Sequence, residues 1–273
     1  TPDPKDTPDP KTNPTKEPAV PESSLEKGLV AYYPFNGNAK DTTGNGHDGE
    51  IKGAKLSTDR HGAEKSSYNF DGEDDYILIK KPLLPYDKIP YTISLWVNAA
   101  KDAGGVVMSD RYGSSCNYNY WVGIGGWTIF QERVHQKAVG HAGKFSREKW
   151  EHMVCVYDLS GGQMYFYLNG EKTEERKHEN AWSDAKNPTT IGVLLGCEKY
   201  GAKPSGWYKG SVDEVRIYNR ALSADEVKTL YAFEKSSEPA AAKETGSLEI
   251  SPKVESKVET TRKYKWPAFV PGN

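Results

Sequence analysis

Residues 91–98 have the sequence YTISLWVN, and this stretch decides the fold class. Its apolar residues Ile93, Leu95 and Val97 occupy every second position, the period at which side chains share one face of a β-strand. Residues 163–169, QMYFYLN, alternate in the same way and lead into Asn169-Gly170, a strong signal for a two-residue hairpin turn. The sequence therefore predicts an all-β protein built as a two-sheet antiparallel sandwich.

Similar short segments, separated by glycine-rich turns, occur along most of the chain. The candidate strands are residues 28–35, 49–56, 66–70, 75–79, 91–98, 105–110, 119–124, 127–132, 135–140, 150–158, 163–169, 171–176, 189–195 and 210–218. One helix is predicted after the last strand, because Ser223 and Glu226 have the spacing of a capping box. A short apolar stripe follows, and we expect this helix to seal one edge or end of the sandwich.

The overall composition excludes several classes of protein. The chain has 273 residues, with 36 Lys and Arg against 38 Asp and Glu, which gives a formal net charge of −2. This near-neutral balance argues against nucleic-acid binding, which requires a basic surface. The sequence has no apolar run of about 18 residues, so we expect no membrane insertion.

Composition divides the chain into three parts. Residues 1–24 are rich in proline and lack aromatic residues, which predicts a semi-extended linker. Residues 25–234 carry nearly all the aromatic and β-branched side chains and form the predicted domain. Residues 235–273 begin as a charged linker and continue into a C-terminal tail. We expect a monomeric module within a larger chain.

Four stretches resemble the laminin-G-like jelly-roll domains of the concanavalin A-like lectin/glucanase superfamily. They are GLVAYYPFNGNAKDTTGNGHDG (28–49), YNFDGEDDYILI (68–79), YTISLWVN (91–98) and GSVDEVRIYNRALSADEV (210–227). The second stretch is similar to a hairpin of that family, and the last to its closing strand and helix. The resemblance implies a jelly roll with a structural calcium ion and, often, a glycan or protein ligand outside the cell.

The loop after the first strand is the candidate calcium site. Asp41 and Asn45 offer hard oxygen ligands in a glycine-rich loop, which is the chemistry that Ca²⁺ prefers. The loop is not an EF-hand, because its twelfth position is Lys52 rather than Glu. The resemblance adds a ligand from the closing strand, and loop carbonyls would complete the shell. The predicted metal ligands are Asp41, Thr43, Asn45, His47 and Asp213. The alternative is that Asp41 and Asn45 are ordinary turn residues.

The three cysteines are predicted to have different roles. Cys155 lies in the strand WEHMVCVYD, where a packed thiol is expected. Cys116 and Cys197 both lie in glycine-rich loops, and we predict a disulfide between them, which would indicate an oxidising compartment. The alternative is two unpaired surface thiols.

Aromatic and polar residues concentrate in two of the loops. A glycan site requires flat aromatic faces together with polar groups that bind vicinal hydroxyls, and residues 111–133 and 197–208 supply both. The predicted disulfide would bring the two loops onto one surface. The predicted ligand-binding residues are Arg111, Tyr118, Tyr120, Trp121, Trp127, Gln131, Arg133, Tyr200 and Trp207. The alternative is that the tryptophans pack in the core or at its edges.

These observations predict a non-catalytic carbohydrate-binding, lectin-like or adhesion module that is extracellular or at the cell surface. Its partner would be a glycan or glycoprotein. A protein-recognition or purely structural sandwich within a multidomain surface protein is the alternative. A glycoside hydrolase ranks third, because no strand carries the paired carboxylates that retaining hydrolysis uses, so no enzyme is expected.

Overall fold

The computed structural model describes residues 22–84, 89–110, 120–124, 128–132, 138–141, 145–177, 189–192 and 206–236, with the backbone alone at residues 22, 120–121, 128–132 and 138–141. The chain divides into two compact units, Thr1–Pro239 and Ala240–Asn273, and every described residue lies in the first unit. Among the helices of the described ranges, none is long and apolar enough to cross a membrane.

The described residues form fifteen strands, one short 3-10 helix at Glu22–Glu26 and one α-helix, α1, at Ala224–Ser236. The strands are β1 (Leu29–Tyr33), β2 (Gly49–Lys52), β3 (Lys55–Ser57), β4 (Ser67–Asp71), β5 (Tyr76–Ile79), β6 (Tyr91–Ala99), β7 (Val106–Ser109), β8 (Tyr120–Ile124), β9 (Thr128–Glu132), β10 (Ala138–His141), β11 (Trp150–Asp158), β12 (Gln163–Leu168), β13 (Glu171–Lys177), β14 (Thr189–Ile191) and β15 (Lys209–Tyr218).

These strands build two antiparallel sheets, which confirms the predicted all-β jelly-roll sandwich. The eight-stranded sheet has the order β13-β12-β11-β6-β15-β4-β3, and β1 also pairs with β15. The seven-stranded sheet has the order β10-β9-β8-β7-β14-β5-β2. The pairing of β1 with β15 places Tyr33 opposite Val215. The first and last strands of the domain are therefore neighbours, which agrees with the resemblance that set the closing strand beside the loop after the first strand.

The main core lies between the two sheets and follows from the period of two along each strand. Ile93, Leu95 and Val97 of β6 are fully buried in this core. Burying each such side chain contributes about 1.5–3 kcal/mol relative to leaving it exposed. Cys155 of β11 lies in the same core, where burial raises the pKa of its thiol. The expectation of a packed thiol at Cys155 is confirmed.

Helix α1 packs on the outer face of the eight-stranded sheet. Its capping box is confirmed, since the Ser223 amide donates to Glu226 Oε2 at 2.9 Å and the Glu226 amide donates to Ser223 Oγ at 3.2 Å. Val227 and Leu230 are buried in a second apolar cluster that also contains Val154 of β11. The helix therefore covers a sheet face, and the expectation that it seals an edge or end was wrong.

Three local features differ from the sequence prediction. Residues 49–56 form two strands in different sheets, because Gly53 takes a φ of +79° and turns the chain between them. Strands β4 and β5 also lie in different sheets, so residues 68–79 are not a hairpin. The 3-10 helix crosses the predicted boundary at residue 24, and Leu25 is buried beside α1.

Candidate functional site

Four of the five predicted calcium ligands lie in the loop between β1 and β2. Asp41 is the centre of this loop. Its Oδ1 accepts hydrogen bonds from the Tyr32 amide at 3.1 Å, the Thr43 amide at 3.0 Å and Thr43 Oγ1 at 2.7 Å. Its Oδ2 accepts one from the His47 amide at 3.2 Å. Burial opposes ionisation of Asp41, but these hydrogen bonds outweigh it and lower the pKa of the carboxyl.

Two carbonyl oxygens of the loop also accept hydrogen bonds. Lys81 Nζ donates to the Asn45 carbonyl at 2.7 Å, and Tyr33 Oη donates to the His47 carbonyl at 2.6 Å. Asn45 Nδ2 donates to the carbonyl of Val30 at 2.9 Å, which ties the loop to β1. Ca²⁺ needs six to eight oxygen ligands. An ion in this loop would therefore have to replace several of the hydrogen-bond donors that now contact these oxygens. The calcium site stays a prediction.

Asp213, the fifth predicted ligand, belongs to a different set of contacts. Its Oδ2 accepts a hydrogen bond from Arg60 Nη1 at 2.7 Å, and its Oδ1 accepts one from the Glu214 amide at 2.8 Å. Burial raises the pKa of the Asp213 carboxyl, and the Arg60 guanidinium opposes that shift. The structure thus brings Asp41, Thr43, Asn45 and His47 together in one loop and pairs Asp213 with Arg60.

A buried cluster that we call the α1 anchor joins helix α1 to the eight-stranded sheet. It consists of Arg60, Trp96, His152, Arg216 and Glu234. Glu234 Oε1 accepts from Arg216 Nε at 2.6 Å, and Glu234 Oε2 accepts from Trp96 Nε1 at 2.7 Å. Arg60 donates to the Glu234 carbonyl from Nε at 3.0 Å and from Nη2 at 2.6 Å. These contacts satisfy acceptors at the C-terminal end of α1 that the helix itself leaves open.

His152 is the most deeply buried member of the anchor, because its side chain is fully enclosed. Its Nε2 lies 2.7 Å from Ser94 Oγ and 3.3 Å from Glu234 Oε2, and its ring stacks on Trp96. Burial, with the nearby Arg216 and Arg60 guanidinium groups, lowers the pKa of His152 to about 3 even though a carboxylate is close. His152 is therefore neutral in the folded protein.

Sequence reasoning missed the α1 anchor, and only part of it left a signal. The alternation in β6 places Trp96 on the face opposite Leu95, but it does not show what that face contacts. In the structure Trp96 lies on the outer face, where its ring stacks on Tyr231 of α1 with centroids 5.7 Å apart. Arg60 and Glu234 are 174 residues apart in the sequence, and no local pattern connects them.

Most of the predicted ligand-binding residues lie outside the described part of the chain. Those outside it are Arg111, Tyr118, Trp127, Arg133 and Tyr200, and so are both members of the predicted Cys116–Cys197 disulfide. The backbones of Tyr120 and Trp121 lie in β8, and that of Gln131 lies in β9. The disulfide and the full set of ligand contacts stay predictions.

Strand register shows where the segments that carry these residues connect to the seven-stranded sheet. At one end of β7, Ser109 is opposite Trp121, and Tyr120 is opposite Glu132. The segments 111–119 and 133–137 connect to this end, which we call the Ser109 end. They contain three of the predicted ligand-binding residues, Arg111, Tyr118 and Arg133.

The opposite end of β7 receives the other segments. The Ile124 amide donates to the Gly105 carbonyl at 2.8 Å, and the Gly192 amide donates to the Val107 carbonyl at 2.7 Å. The segments 125–127 and 193–205 connect here, at what we call the Val106 end. The described flanks of these two sets of segments therefore lie at opposite ends of a four-residue strand about 13 Å long.

Trp207 is the predicted ligand-binding residue whose side chain the structure describes. It is half-buried at the Val106 end, and its ring lies against Tyr76 of β5 with centroids 6.2 Å apart and planes tilted by 46°. The backbone beside it is fixed, because the Val106 amide donates to the Gly206 carbonyl at 2.6 Å and the Tyr208 amide donates to the Gly192 carbonyl at 2.9 Å. The pair offers partly exposed aromatic faces on a rigid support.

The protein has two stacked antiparallel sheets, and the first and last strands pair within one of them. This arrangement defines a jelly-roll domain of the lectin type. Residues 71–228, more than half of the chain, match the Laminin_G_3 family profile, whose description is Concanavalin A-like lectin/glucanases superfamily. The chain belongs to this superfamily. A comparison with curated proteins finds no matching sequence.

Solved structures share the fold at low sequence identity. The binding domain of Paraclostridial Mosquitocidal Protein 1 aligns with a TM-score of 0.61 and 17% identity, covering 78% of this chain and 54% of that one. The binding domain of botulinum neurotoxin serotype D aligns with a TM-score of 0.59 and 16% identity, covering 78% and 52%. This chain thus spans about half the length of each toxin domain.

A shorter structure matches over nearly its whole length. It is domain 4 of AbnA, a GH43 extracellular arabinanase from Geobacillus stearothermophilus, solved in complex with arabinotriose. The TM-score is 0.54 and the identity 22%, and the alignment covers 74% of this chain and 98% of that domain. At these identities the comparisons show the fold.

Proposed function

We propose that this chain is a non-catalytic, lectin-like carbohydrate-binding or adhesion module that acts outside the cell. Its glycan would bind at the Val106 end of the seven-stranded sheet. The names of the structural neighbours support a binding role, since they include toxin binding domains and an arabinanase domain with a bound arabinotriose. A structural calcium ion in the Asp41 loop is part of the proposal and is tested separately.

The observation that carries this proposal is the aromatic pair of Tyr76 and Trp207. Sugar rings present apolar C–H faces, and they bind where a flat aromatic side chain is held in a partly exposed position. Trp207 meets that requirement because hydrogen bonds on both sides fix its backbone. The segment 193–205, which contains Tyr200, and the segment 125–127, which contains Trp127, connect to the same end.

The environment of the buried carboxylates supports a non-catalytic role. A retaining glycosidase requires two carboxyl groups about 5 Å apart that face the substrate. Asp213 and Glu214 are adjacent, but Asp213 is paired with Arg60, and Glu214 accepts hydrogen bonds from Tyr32 Oη at 2.6 Å and Arg216 Nη2 at 2.9 Å. Both carboxylates are largely enclosed and serve to hold the first and last strands and α1 together.

A glycan array probed with the wild-type protein tests the proposal. We expect a defined group of glycans to bind, and we expect Trp207→Ala to lose them. Phe233→Ala is the matched control, because Phe233 is an exposed aromatic residue on α1. An array on which no glycan binds the folded protein would overturn carbohydrate recognition. If the folded Trp207→Ala variant bound the same glycans as the wild type, the glycan site would not lie at the Val106 end.

A further inference from the structure

An open groove of about 450 Å³ lies on the outer face of the eight-stranded sheet, beside the start of α1. One wall is formed by β12 and the turn that precedes it, and the other by residues 221–226. We call it the Tyr165 groove. The groove is built from elements of the eight-stranded sheet and α1, whereas the Val106 end belongs to the seven-stranded sheet.

Two tyrosines form the floor of the Tyr165 groove. Tyr167 is nearly fully buried, while Tyr165 is half-buried, and their ring centroids are 6.5 Å apart. They face outward because Phe166, between them, points into the main core. Lys172 Nζ lies 5.3 Å from the centroid of the Tyr165 ring and 2.5 Å from Glu175 Oε2. Lys172 therefore lies over one face of the Tyr165 ring, and a ligand would use the part of the ring that the ammonium group leaves uncovered.

The polar wall of the groove is held in a fixed shape. Asp158 Oδ1 accepts hydrogen bonds from the Ser160 amide at 3.0 Å, Ser160 Oγ at 2.8 Å and the Gly161 amide at 3.1 Å. This hydrogen-bonded turn places a carboxylate and a hydroxyl at the rim of the groove. The rim therefore offers acceptors opposite the ammonium group of Lys172.

The helix wall is fixed by the capping box and by one arginine. Arg220 Nη1 donates to Glu226 Oε2 at 2.8 Å, and Arg220 Nη2 donates to the Ser24 carbonyl at 2.9 Å. The 3-10 helix, the N-terminus of α1 and the sheet are thus locked together next to the groove. A wall held in this way needs little ordering when a ligand enters.

We propose that the Tyr165 groove binds a neutral pyranose residue, as a second glycan subsite separate from the Val106 end. The sugar's C–H face would lie on Tyr165, and its vicinal hydroxyls would meet Asp158, Ser160 and Lys172. The lining of the groove carries two carboxylates, those of Asp158 and Glu226, against the single ammonium group of Lys172, and this formal charge disfavours a sugar that carries its own carboxylate. This inference concerns a different sheet from the proposed function, so either one holds or fails without the other.

Amide chemical shifts of the ¹⁵N-labelled full chain separate the two sites. The probes are D-glucose, D-galactose and N-acetyl-D-glucosamine, with D-glucuronate as the charged comparison, each titrated into the millimolar range. We expect saturable shifts at Ser160, Lys172 and Ser223 with at least one neutral sugar. The same amides should respond at least tenfold more weakly to D-glucuronate.

Variants then assign the groove response to Tyr165. Tyr165→Ala should weaken the response at Ser160 and Ser223 at least tenfold, while Trp207→Ala and the Phe233→Ala control should leave it unchanged. Tyr165→Phe, which keeps the ring, should retain most of the affinity and guards against a folding defect in the alanine variant. Shifts confined to Val106 and Tyr208, or groove shifts that persist in Tyr165→Ala, would overturn the second subsite and leave the proposed function standing.

Discussion

The buried His152 predicts a specific loss of stability in mild acid. In an unfolded chain His152 takes up a proton near its ordinary pKa of 6.5, whereas burial holds the pKa of the folded form at about 3. Between these values the unfolded state binds more protons than the folded state. The contribution of His152 to the free energy of unfolding is therefore fully present above pH 6.5 and decreases as the pH falls. At pH 5 the contribution is about 1.5 pKa units at about 1.36 kcal/mol each, a loss of about 2 kcal/mol.

His152→Gln isolates this contribution. The glutamine side-chain amide can form hydrogen bonds with Ser94 and Glu234, but it does not titrate. Other groups also titrate differently in the two states. Burial raises the pKa of Asp213 and Glu214, so those groups add stability as the pH falls and lose it as the pH rises. They are present in both proteins, and the difference between wild type and variant therefore reports His152.

Urea unfolding followed by tryptophan fluorescence at pH 7 and pH 5 provides the measurement. The free energy of unfolding of wild type minus that of His152→Gln should decrease by about 2 kcal/mol between the two conditions. If the free energy of unfolding depends on urea concentration with the same slope in wild type and variant, the two proteins expose similar surface on unfolding and can be compared. A difference that stays constant, or that grows toward acid pH, would refute a neutral buried His152.

Three further predictions test the anchor, the Trp207 support and the loop. Glu234→Gln should lower the free energy of unfolding in urea by about 3 kcal/mol, because it leaves the buried Arg216 guanidinium without its closest counter-charge; a loss below about 1 kcal/mol would contradict the anchor. Gly105→Ala should cost about 2–3 kcal/mol and weaken glycan binding, because φ is +92° and the new Cβ would lie 2.3 Å from the Trp207 carbonyl oxygen; Gly104→Ala, whose Cβ would meet its nearest atom at 3.7 Å, is the control. Calcium at 100 times its Kd stabilises the native state by about 2.7 kcal/mol. EDTA should therefore lower the melting midpoint of the wild type but not that of Asp41→Asn. Identical wild-type melting curves with and without EDTA would contradict a calcium site in this loop.

Local sequence patterns predicted the parts of the fold that depend on neighbouring residues. The capping box of Ser223 and Glu226 is present because both halves of the motif lie within one helical turn. The alternation in β6 placed Leu95 in the main core and Trp96 on the opposite face, since the strand period fixes the direction of each side chain. The adjacency of β1 and β15 came from a family resemblance, which carries long-range information that alternation lacks.

Features that depend on distant residues were not predicted. The turn at Gly53 divides residues 49–56 into two strands, because a glycine adopts a positive φ at little cost. The turn was not predicted, because the alternation on either side of it is intact. The contact between Arg60 and the C-terminal end of α1 joins residues that only the folded sandwich brings together. The Tyr165 groove likewise requires α1 on the outer face, whereas the sequence indicated an edge.

The proposed glycan site combines one residue predicted from the sequence with one found only in the structure. Trp207 was identified from its aromatic neighbourhood, and its contact with Tyr76 gives that choice a structural basis. Tyr76 itself was missed, because it begins the strand YILI and alternation assigns it only to a sheet face. The attachment of the aromatic segments to two different ends of β7 follows from strand register, which aromatic content does not reveal.

Calorimetric titration of the tightest array glycan into wild type, Tyr76→Ala, Trp207→Ala and the double variant tests the central claim most directly. If the sugar lies on this aromatic pair, each single variant should raise Kd at least about tenfold. The loss of binding free energy in the double variant should be smaller than the sum of the losses in the two single variants, because residues in contact do not act independently. An unchanged Kd in both single variants, with native melting curves, would contradict a glycan site at the Val106 end.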